Sequence, residues 1–192
     1  VRDVYETGYE WINHSLRPKH LDIEEVRMSV GSKECSQPYS ASLLNISAMS
    51  FGALSANAIR ALNTGARMGG FAHDTGEGGF SAYHREPGGD IVWQIGTGYF
   101  GCRDKHGDFS LDHLVETTNK HSSIRALEIK LSQGAKPGLG GILPASKITP
   151  EISRIRGIPM GQDCISPSGH DAFSDADSLL DFVEQVAEST GL

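Results

Sequence analysis

The stretch EIKLSQGAKPGLGG, residues 128–141, decides the fold because it joins an apolar strand to a glycine-rich loop. In residues 127–131 the apolar positions alternate with Glu128 and Lys130, so the strand presents both charged side chains on one face. A second lysine, Lys136, lies in the loop, whose glycines let the main chain approach a ligand. Lysines at the carboxyl end of a strand are typical of α/β-barrel active sites. Taken alone, the loop is better explained as an ordinary turn in which Lys136 is solvated.

The composition predicts a soluble globular domain and excludes several classes of function. The 192 residues are 38% hydrophobic and 21% charged, with a net charge of -7 that argues against a nucleic-acid partner. The apolar runs are shorter than the ~20 residues that span a bilayer, and no signal peptide is recognisable. Three separated cysteines form no Cys-x-x-Cys pair, so we expect no disulfide, no metal site and a reducing, cytoplasmic location. The start at Val1 indicates processing or a longer parent, whose other segments leave membrane association open.

Residues 1–40 are predicted to be an extension that packs on the main domain. A short amphipathic helix that stops before Pro18 is indicated by apolar residues at helical spacing, namely Tyr5, Tyr9, Ile12 and Leu16. An irregular connector follows, with one short strand near residues 26–30.

Strands and helices alternate in residues 41–192. Apolar segments predict strands over residues 42–49, 71–74, 90–95 and 124–131, and a helix over residues 112–120. Ser55 and Ser174 are suitable helix N-caps, and a further helix starts at Thr149 or Pro150. The helix faces predicted to pack inward contain Ala58, Ile59, Leu62, Ala66 and Met68, and later Leu179, Leu180, Phe182, Val183 and Val186.

This alternation predicts a parallel α/β protein with its site at the carboxyl ends of the strands. Four or five βα units are too few for a closed eight-stranded barrel, which takes ~250 residues, so the pattern fits either an open sheet or part of a barrel. The absence of a G-x-G-x-x-G or Walker sequence weighs against a dinucleotide or P-loop enzyme.

Two further polar residues follow or end predicted strands. Glu77 stands between glycines in TGEGG, as a carboxylate beside a ligand would, although a solvated glutamate in a flexible turn fits as well. Gln94 ends the next strand, where a satisfied core amide is the alternative.

Five motifs in order resemble the FMN-binding synthase domain of the glutamate synthase family, and in particular its stand-alone glutamate synthase-like proteins. They are NISAMSFGALS at 45–55, TGEGG at 75–79, WQIGTGYFG at 93–101, EIKLSQGAKPGLGGILP at 128–144 and ISPSGHDAF at 165–173. The resemblance covers nearly the whole chain. It implies that residues 41–192 are the N-terminal half of a (β/α)8 barrel whose C-terminal half is absent. In that family FMN at the strand carboxyl ends reduces 2-iminoglutarate, formed from 2-oxoglutarate and ammonia.

The resemblance also implies roles for individual residues. Ala48, Met49 and Ser50 are expected to line the flavin through backbone atoms, and Gln94 to hydrogen-bond its ring. Lys130 is expected near the flavin N1 and C2 carbonyl, where a cation stabilises the reduced ring. The catalytic and substrate-binding positions are Glu77, Lys130 and Arg156, with Lys136 as a further catalytic helper.

Three departures from the family pattern bear on the reaction. Ile142 and Leu139 stand where the family usually has Gln and Glu. A polar contact to the substrate is therefore expected to be missing, which leaves the identity of the substrate open. No N-terminal cysteine nucleophile is present, so ammonia is expected from a separate subunit and electrons from a separate donor. The cysteine triplet of the family's iron-sulfur cluster is not encoded in this chain.

These features predict part of a flavin-dependent oxidoreductase that converts 2-oxoglutarate to L-glutamate. The alternatives are related amine chemistry, such as N-methylglutamate synthesis, and an inactive fragment that acts only as a folding or interaction module. Because the phosphate grip of a barrel comes from its last strands, the 192 residues alone are expected neither to hold FMN tightly nor to catalyse, and to self-associate through their uncovered face.

Overall fold

A computed structural model of the chain describes residues 3, 5–11, 13, 15–22, 26–132 and 140–192. Strands and helices alternate along most of the chain. The strands are β1 (Arg27–Val30), β2 (Tyr39–Ser42), β3 (His73–Asp74), β4 (Ile91–Ile95), β5 (Ile124–Ile129), β6 (Ile142–Leu143) and β7 (Cys164–Ile165). The helices are α1 (Ala56–Gly69), α2 (Ala82–Arg85), α3 (Leu111–Lys120), α4 (Pro150–Arg156) and α5 (Ala176–Thr190), with a 3₁₀ turn at Ala145–Lys147.

The central sheet is parallel and has the strand order β3-β4-β5. The predicted strand over residues 42–49 is only partly regular, because Ser42 ends β2 and the chain then runs alongside β3. There Ile46 N–H donates to Ala72 O at 2.8 Å, and Ile46 O accepts from Asp74 N–H at 3.0 Å. The mixed α/β architecture with a parallel sheet and alternating helices is therefore confirmed, and the complete (β/α)8 barrel stays a prediction.

The outer face of this sheet carries the main hydrophobic core. Ile91, Trp93 and Ile95 point outward from β4 and are almost fully buried. They pack with residues of the flanking elements α3, β5 and α5, which include Leu114, Ile124, Phe182 and Val186. The opposite, inner face carries the polar positions of the same strands, as expected from the two-residue period of a strand.

The helix ends follow the predicted capping chemistry with one shift. Ser55 and Thr149 cap α1 and α4 through their side-chain oxygens. Helix α5 is capped by Asp175 instead of Ser174, since Asp175 and Ser178 form a reciprocal capping box that Ser174 cannot reach. Of the predicted inward-facing residues, Met68, Leu180 and Val183 are exposed, because the buried stripes run through Ile59 and Ala66 in α1 and through Phe182 and Val186 in α5. Among the described helices, none is long and apolar enough to cross a bilayer.

The predicted N-terminal amphipathic helix is wrong for the residues that are described there. They form turns, bends and irregular backbone, and Gly8 has a positive φ of 91°. Tyr5 and Leu16 are 92% and 100% exposed, so no inward face exists to stabilise a short helix. Ile12 lies outside the described residues. The short strand predicted near residues 26–30 is confirmed as β1, which pairs antiparallel with β2.

Candidate functional site

Two of the predicted site residues form an ion pair at the carboxyl ends of the parallel strands. Lys130 directly follows β5, where its N–H donates to Ile95 O of β4 at 2.9 Å. Its Nζ lies 3.6 Å from Glu77 Oε1 in the loop after β3, and both side chains are mostly shielded from solvent. The two residues line a recess of about 10 Å³ together with residues from three other segments, namely Thr97, Ser132, Gly140, Pro167 and Ser168. The sheet thus brings Glu77 and Lys130 together as predicted.

Arg156, the last residue of α4, is a buried cation next to the TGEGG loop, where a Cβ on Gly78 would stand 2.8 Å from its Nη2. Only 6% of it is exposed, and its Nη2 donates to Phe51 O at 3.3 Å. The guanidinium lies 5.1 Å from the ring centre of Phe100, and its Nε is buried with no hydrogen-bond partner. In the described ranges no carboxylate forms an ion pair with it. A buried guanidinium with an unused N–H is suited to bind a carboxylate.

Gln94 points to the inner face of the sheet, where Glu128 fixes the orientation of its amide. The Gln94 Nε2 donates to Glu128 Oε1 at 2.5 Å, since the carboxylate oxygen can only accept. This leaves Gln94 Oε1 buried and without a partner. An orphaned carbonyl oxygen of this kind is ready to accept a hydrogen bond from a bound ring N–H.

Asp74 shares a proton with Glu128 on the same face. Burial is the main cause that raises the pKa of Asp74 to about 7, and the hydrogen-bonded, negatively charged Glu128 raises it further. The Gly76 N–H, which donates to Asp74 Oδ1 at 2.7 Å, and the nearby Lys130 act in the opposite direction. Below about pH 7, Asp74 therefore holds a proton that it can donate to Glu128.

The segment of residues 48–50 closes one side of the site. Ala48 lines a cavity of about 500 Å³ with Asp74, Gln94 and Glu128. The backbone of Met49 is already paired, since its N–H donates to Asp74 O at 3.1 Å and its carbonyl accepts from His84 Nε2 at 2.9 Å. A carbonyl only accepts, so the proton of His84 is on Nε2.

Gly76 lets the TGEGG loop approach residues 48–50. Its φ is 65°, and a Cβ at this position would stand 2.8 Å from Ser50 N. Any other residue would therefore be strained and would push the two loops apart. The cavity has a size typical of ligand sites and is lined by Gln94, whose carbonyl oxygen has no partner, while Lys130 lines the small recess beside Glu77. An acceptor for a ring N–H and a cation are groups that suit a flavin ring.

Comparison with known proteins decides the family. The model for the conserved region in glutamate synthase matches residues 3–191. The chain belongs to the glutamate synthase family. Its relatives include the glutamate synthase large subunit-like protein YerD of Bacillus subtilis, which is 38% identical over 173 residues that make up 89% of this chain.

Two other glutamate synthase relatives show the same range of similarity. The archaeal-type glutamate synthase [NADPH] of Thermotoga maritima is 38% identical over 74% of this chain, and the archaeal glutamate synthase [NADPH] of Methanocaldococcus jannaschii is 32% identical over 91%. The matched regions are 32% of YerD, 25% of the Thermotoga protein and 33% of the Methanocaldococcus protein. The chain therefore spans a third or less of the length of these glutamate synthase relatives.

Sequence reasoning on this glutamate synthase-family chain missed several polar contacts at the site. Glu128 was recognisable, because two-residue periodicity places it on the face of Lys130. The partnership of Glu128 with Asp74 and Gln94 was not, since it depends on the register between strands. Lys136 lies outside the described residues, so its predicted role stays a prediction. His84 also carried no signal, because its contact with Met49 joins residues 35 positions apart.

The shared proton predicts how an Asp74→Asn variant responds to pH. The pKa of Asp74 is higher in the folded protein, so its contribution to stability is complete below the unfolded value of 3.8 and is lost as pH rises towards about 7. Asparagine has no such dependence. We expect the free energy of unfolding of the variant, relative to wild type, to rise across this window by at most about 1.4 kcal/mol per pH unit.

Urea unfolding of both proteins at several pH values between about 3 and 8 measures this difference. The value at the acid end of the series serves as the internal reference, because below 3.8 Asp74 is mostly protonated in both the folded and the unfolded state. A difference that does not change with pH would show that Asp74 is ionised in the folded protein.

Proposed function

We propose that the full-length protein is an FMN-dependent oxidoreductase that reductively aminates 2-oxoglutarate to L-glutamate. The observation that carries the proposal is the contact of 3.6 Å between Lys130 Nζ and Glu77 Oε1 at the strand carboxyl ends. A cation and a carboxylate in contact at this end of the sheet support a site for an anionic reduced flavin and an imine. Family membership supports an oxidoreductase parent with a flavin-type cofactor.

FMN, when bound, supplies hydride transfer, and the residues of this chain hold its ring. Gln94 offers its unpartnered carbonyl oxygen to a ring N–H, while Glu128 keeps the amide in that orientation. Lys130 stabilises negative charge on the reduced ring. Ala48, Met49 and Ser50 form the wall beside it, with Met49 held in place by His84.

The remaining site residues act on the substrate. Arg156 binds a carboxylate of the oxo acid through its unused N–H, which needs no rearrangement of an existing ion pair. Glu77 forms a hydrogen bond with the imine nitrogen and exchanges a proton with it. Lys130 compensates the negative charge of the Glu77 carboxylate. Lys136 assists from the glycine loop. Ammonia comes from a separate subunit, and the reductant comes from a separate donor.

Steady-state turnover of the full-length protein with 2-oxoglutarate, ammonia and a chemical or NADPH-linked reductant tests the proposal. We expect L-glutamate to form in proportion to reductant consumed. An Arg156→Leu variant should raise the KM for 2-oxoglutarate by about 10- to 100-fold, since a charge-assisted hydrogen bond contributes roughly 1.5–3 kcal/mol. Absence of turnover with every oxo acid tried would refute the proposal.

N-methylglutamate synthesis from glutamate and methylamine is a second candidate. It is favoured by Ile142, an apolar side chain that is 58% exposed where the family usually has glutamine. Product analysis with glutamate and methylamine in the absence of reductant distinguishes the two reactions, because the exchange of methylamine for the amino group releases ammonia and consumes no net reductant. A folding or interaction module without activity is the third candidate, and inertness of the full-length protein in both assays would favour it.

We further propose that the 192 residues alone neither bind FMN tightly nor catalyse. The loops that grip a phosphate in barrels follow the last two strands, and the edge of β5 is without a partner strand in the described sheet. Self-association through the uncovered inner face is expected. Titration of the purified chain with FMN, followed by flavin fluorescence and sedimentation, tests this. Tight stoichiometric binding by a monomer would contradict it.

A further inference from the structure

His170 joins three loops at the carboxyl end of the sheet and has no role in the proposal above. It lies between β7 and α5 in the motif ISPSGHDAF, and its side chain is half-buried. Its Nε2 is 2.8 Å from Lys130 O, and its Nδ1 is 3.1 Å from the Tyr99 hydroxyl. The ring stacks on Phe173 with centroids 4.6 Å apart. One side chain therefore connects the β4 loop, the end of β5 and the segment before α5.

The direction of each hydrogen bond follows from the chemistry of the partners. Lys130 O can only accept, so His170 Nε2 carries the proton and donates it. Burial lowers the pKa of His170, so the ring is neutral near pH 7 and Nδ1 is an acceptor. The Tyr99 hydroxyl then donates to Nδ1, and its oxygen accepts the Ala172 N–H at 3.1 Å. The chain of hydrogen bonds is fully directed and ends on the backbone of Lys130.

The backbone of Tyr99 adopts a strained conformation. With a φ of 49°, it is the one non-glycine residue in the described ranges with a positive φ. It is 1% exposed, and its ring packs edge-on against Phe109 at 5.5 Å. Strained backbone of this kind persists only where the surroundings fix it, and it is concentrated at functional sites.

The backbone of Lys130 is consequently fixed at both of its polar groups. Its N–H donates to Ile95 O at 2.9 Å, and its carbonyl accepts from His170. β5 is an edge strand of the described sheet, so the neighbouring loops supply the second restraint at this point. The direction in which the Lys130 side chain leaves the strand is thereby set.

We infer that His170, held by Tyr99, is a positioning residue that aims Lys130 at the flavin. The inference rests on the role of Lys130 proposed above, but the restraint on the end of β5 can be measured without flavin. Loss of the His170 hydrogen bond releases the Lys130 carbonyl, and the lysine then samples directions that do not serve the ring.

Hydrogen–deuterium exchange of the full-length protein tests the restraint itself. His170→Phe keeps a ring that stacks on Phe173 but loses both hydrogen bonds, and we expect at least tenfold faster exchange in residues 129–132. His170→Gln can still donate to Lys130 O and should restore slow exchange. The matched control is His113→Phe, because the exposed His113 makes the same kind of contact, to Arg103 O at 3.0 Å, away from the site. Unchanged exchange in His170→Phe would overturn the inference.

The flavin midpoint potential of the FMN-loaded protein tests the consequence for Lys130. His170→Phe should shift the potential in the same direction as Lys130→Met, and it should add nothing in the Lys130→Met background. If His170→Phe shifted the midpoint potential equally in the wild-type and the Lys130→Met proteins, His170 would act independently of Lys130, and the inference would be overturned. If Lys130→Met leaves the potential unchanged, the proposed role of Lys130 fails, and the exchange result alone decides whether His170 restrains this strand end. Tyr99→Phe, which removes only the hydroxyl, provides a second route should His170→Phe not fold.

Discussion

A Lys130→Met variant of the full-length protein should turn over at least ~100-fold more slowly than wild type and hold FMN at a lower midpoint potential. Methionine keeps most of the side-chain volume but removes the cation. Negative charge on the reduced ring is then uncompensated, and Glu77 loses the partner 3.6 Å away. Because the lysine is mostly shielded from solvent, bulk water cannot replace its charge. Rapid reduction kinetics and a dye-equilibrium titration measure the two effects.

Lys120→Met is the matched control for this substitution. Lys120 is an exposed residue of α3 whose ion pair with Glu116 lies within one helix. Exposed pairs of this kind contribute little, so both the potential and the turnover should stay at wild-type values. A potential in Lys130→Met equal to that of the control would mean that Lys130 is a structural lysine.

Replacing Gly140 with alanine should cause the largest loss of stability. A Cβ on Gly140 would stand 1.7 Å from Ser166 O and 2.8 Å from Pro167 O, both of them backbone atoms. The two segments would have to separate, which breaks the hydrogen bond of 2.9 Å from Ser166 N to Gly141 O. The pairing of β6 with β7 follows directly after this bond. Overpacking of this kind costs about 3 kcal/mol, which urea unfolding would detect.

Gly65→Ala provides a control of opposite sign. Gly65 lies inside α1, and a Cβ at this position meets no atom within 4 Å. Alanine is the better helix former by about 1 kcal/mol, so the variant should be more stable than wild type. If Gly140→Ala were as stable as wild type, residues 140 and 166 would not approach each other as described.

Local signals in the sequence predicted much of this fold and part of the site. The N-cap at Ser55 and the helix start at Thr149 or Pro150 depend on neighbours within a few residues, and the structure confirms both. The N-terminal helix was wrong because spacing alone does not provide a surface to bury Tyr5 and Leu16.

The unpredicted part of the site depends on contacts between distant segments. The proton shared by Asp74 and Glu128 needs three strands in register, and His170 meets Lys130 across 40 positions of the chain. Such contacts have no period or spacing that sequence reasoning can read. The five motifs nevertheless marked most of the loops that carry these residues, because glycines and short polar runs are visible without knowledge of their partners.

The order of strands in the parallel sheet has a consequence for how the protein is made. Each strand of β3-β4-β5 pairs with the one synthesised just before it, and residues 45–49 stand in the same relation to β3. Within this sheet, every new strand therefore meets a finished template as it leaves the ribosome, because its partner has already been synthesised. The outer core around Trp93 can close once α5 has emerged, because Phe182 and Val186 of α5 cover the apolar face of the sheet.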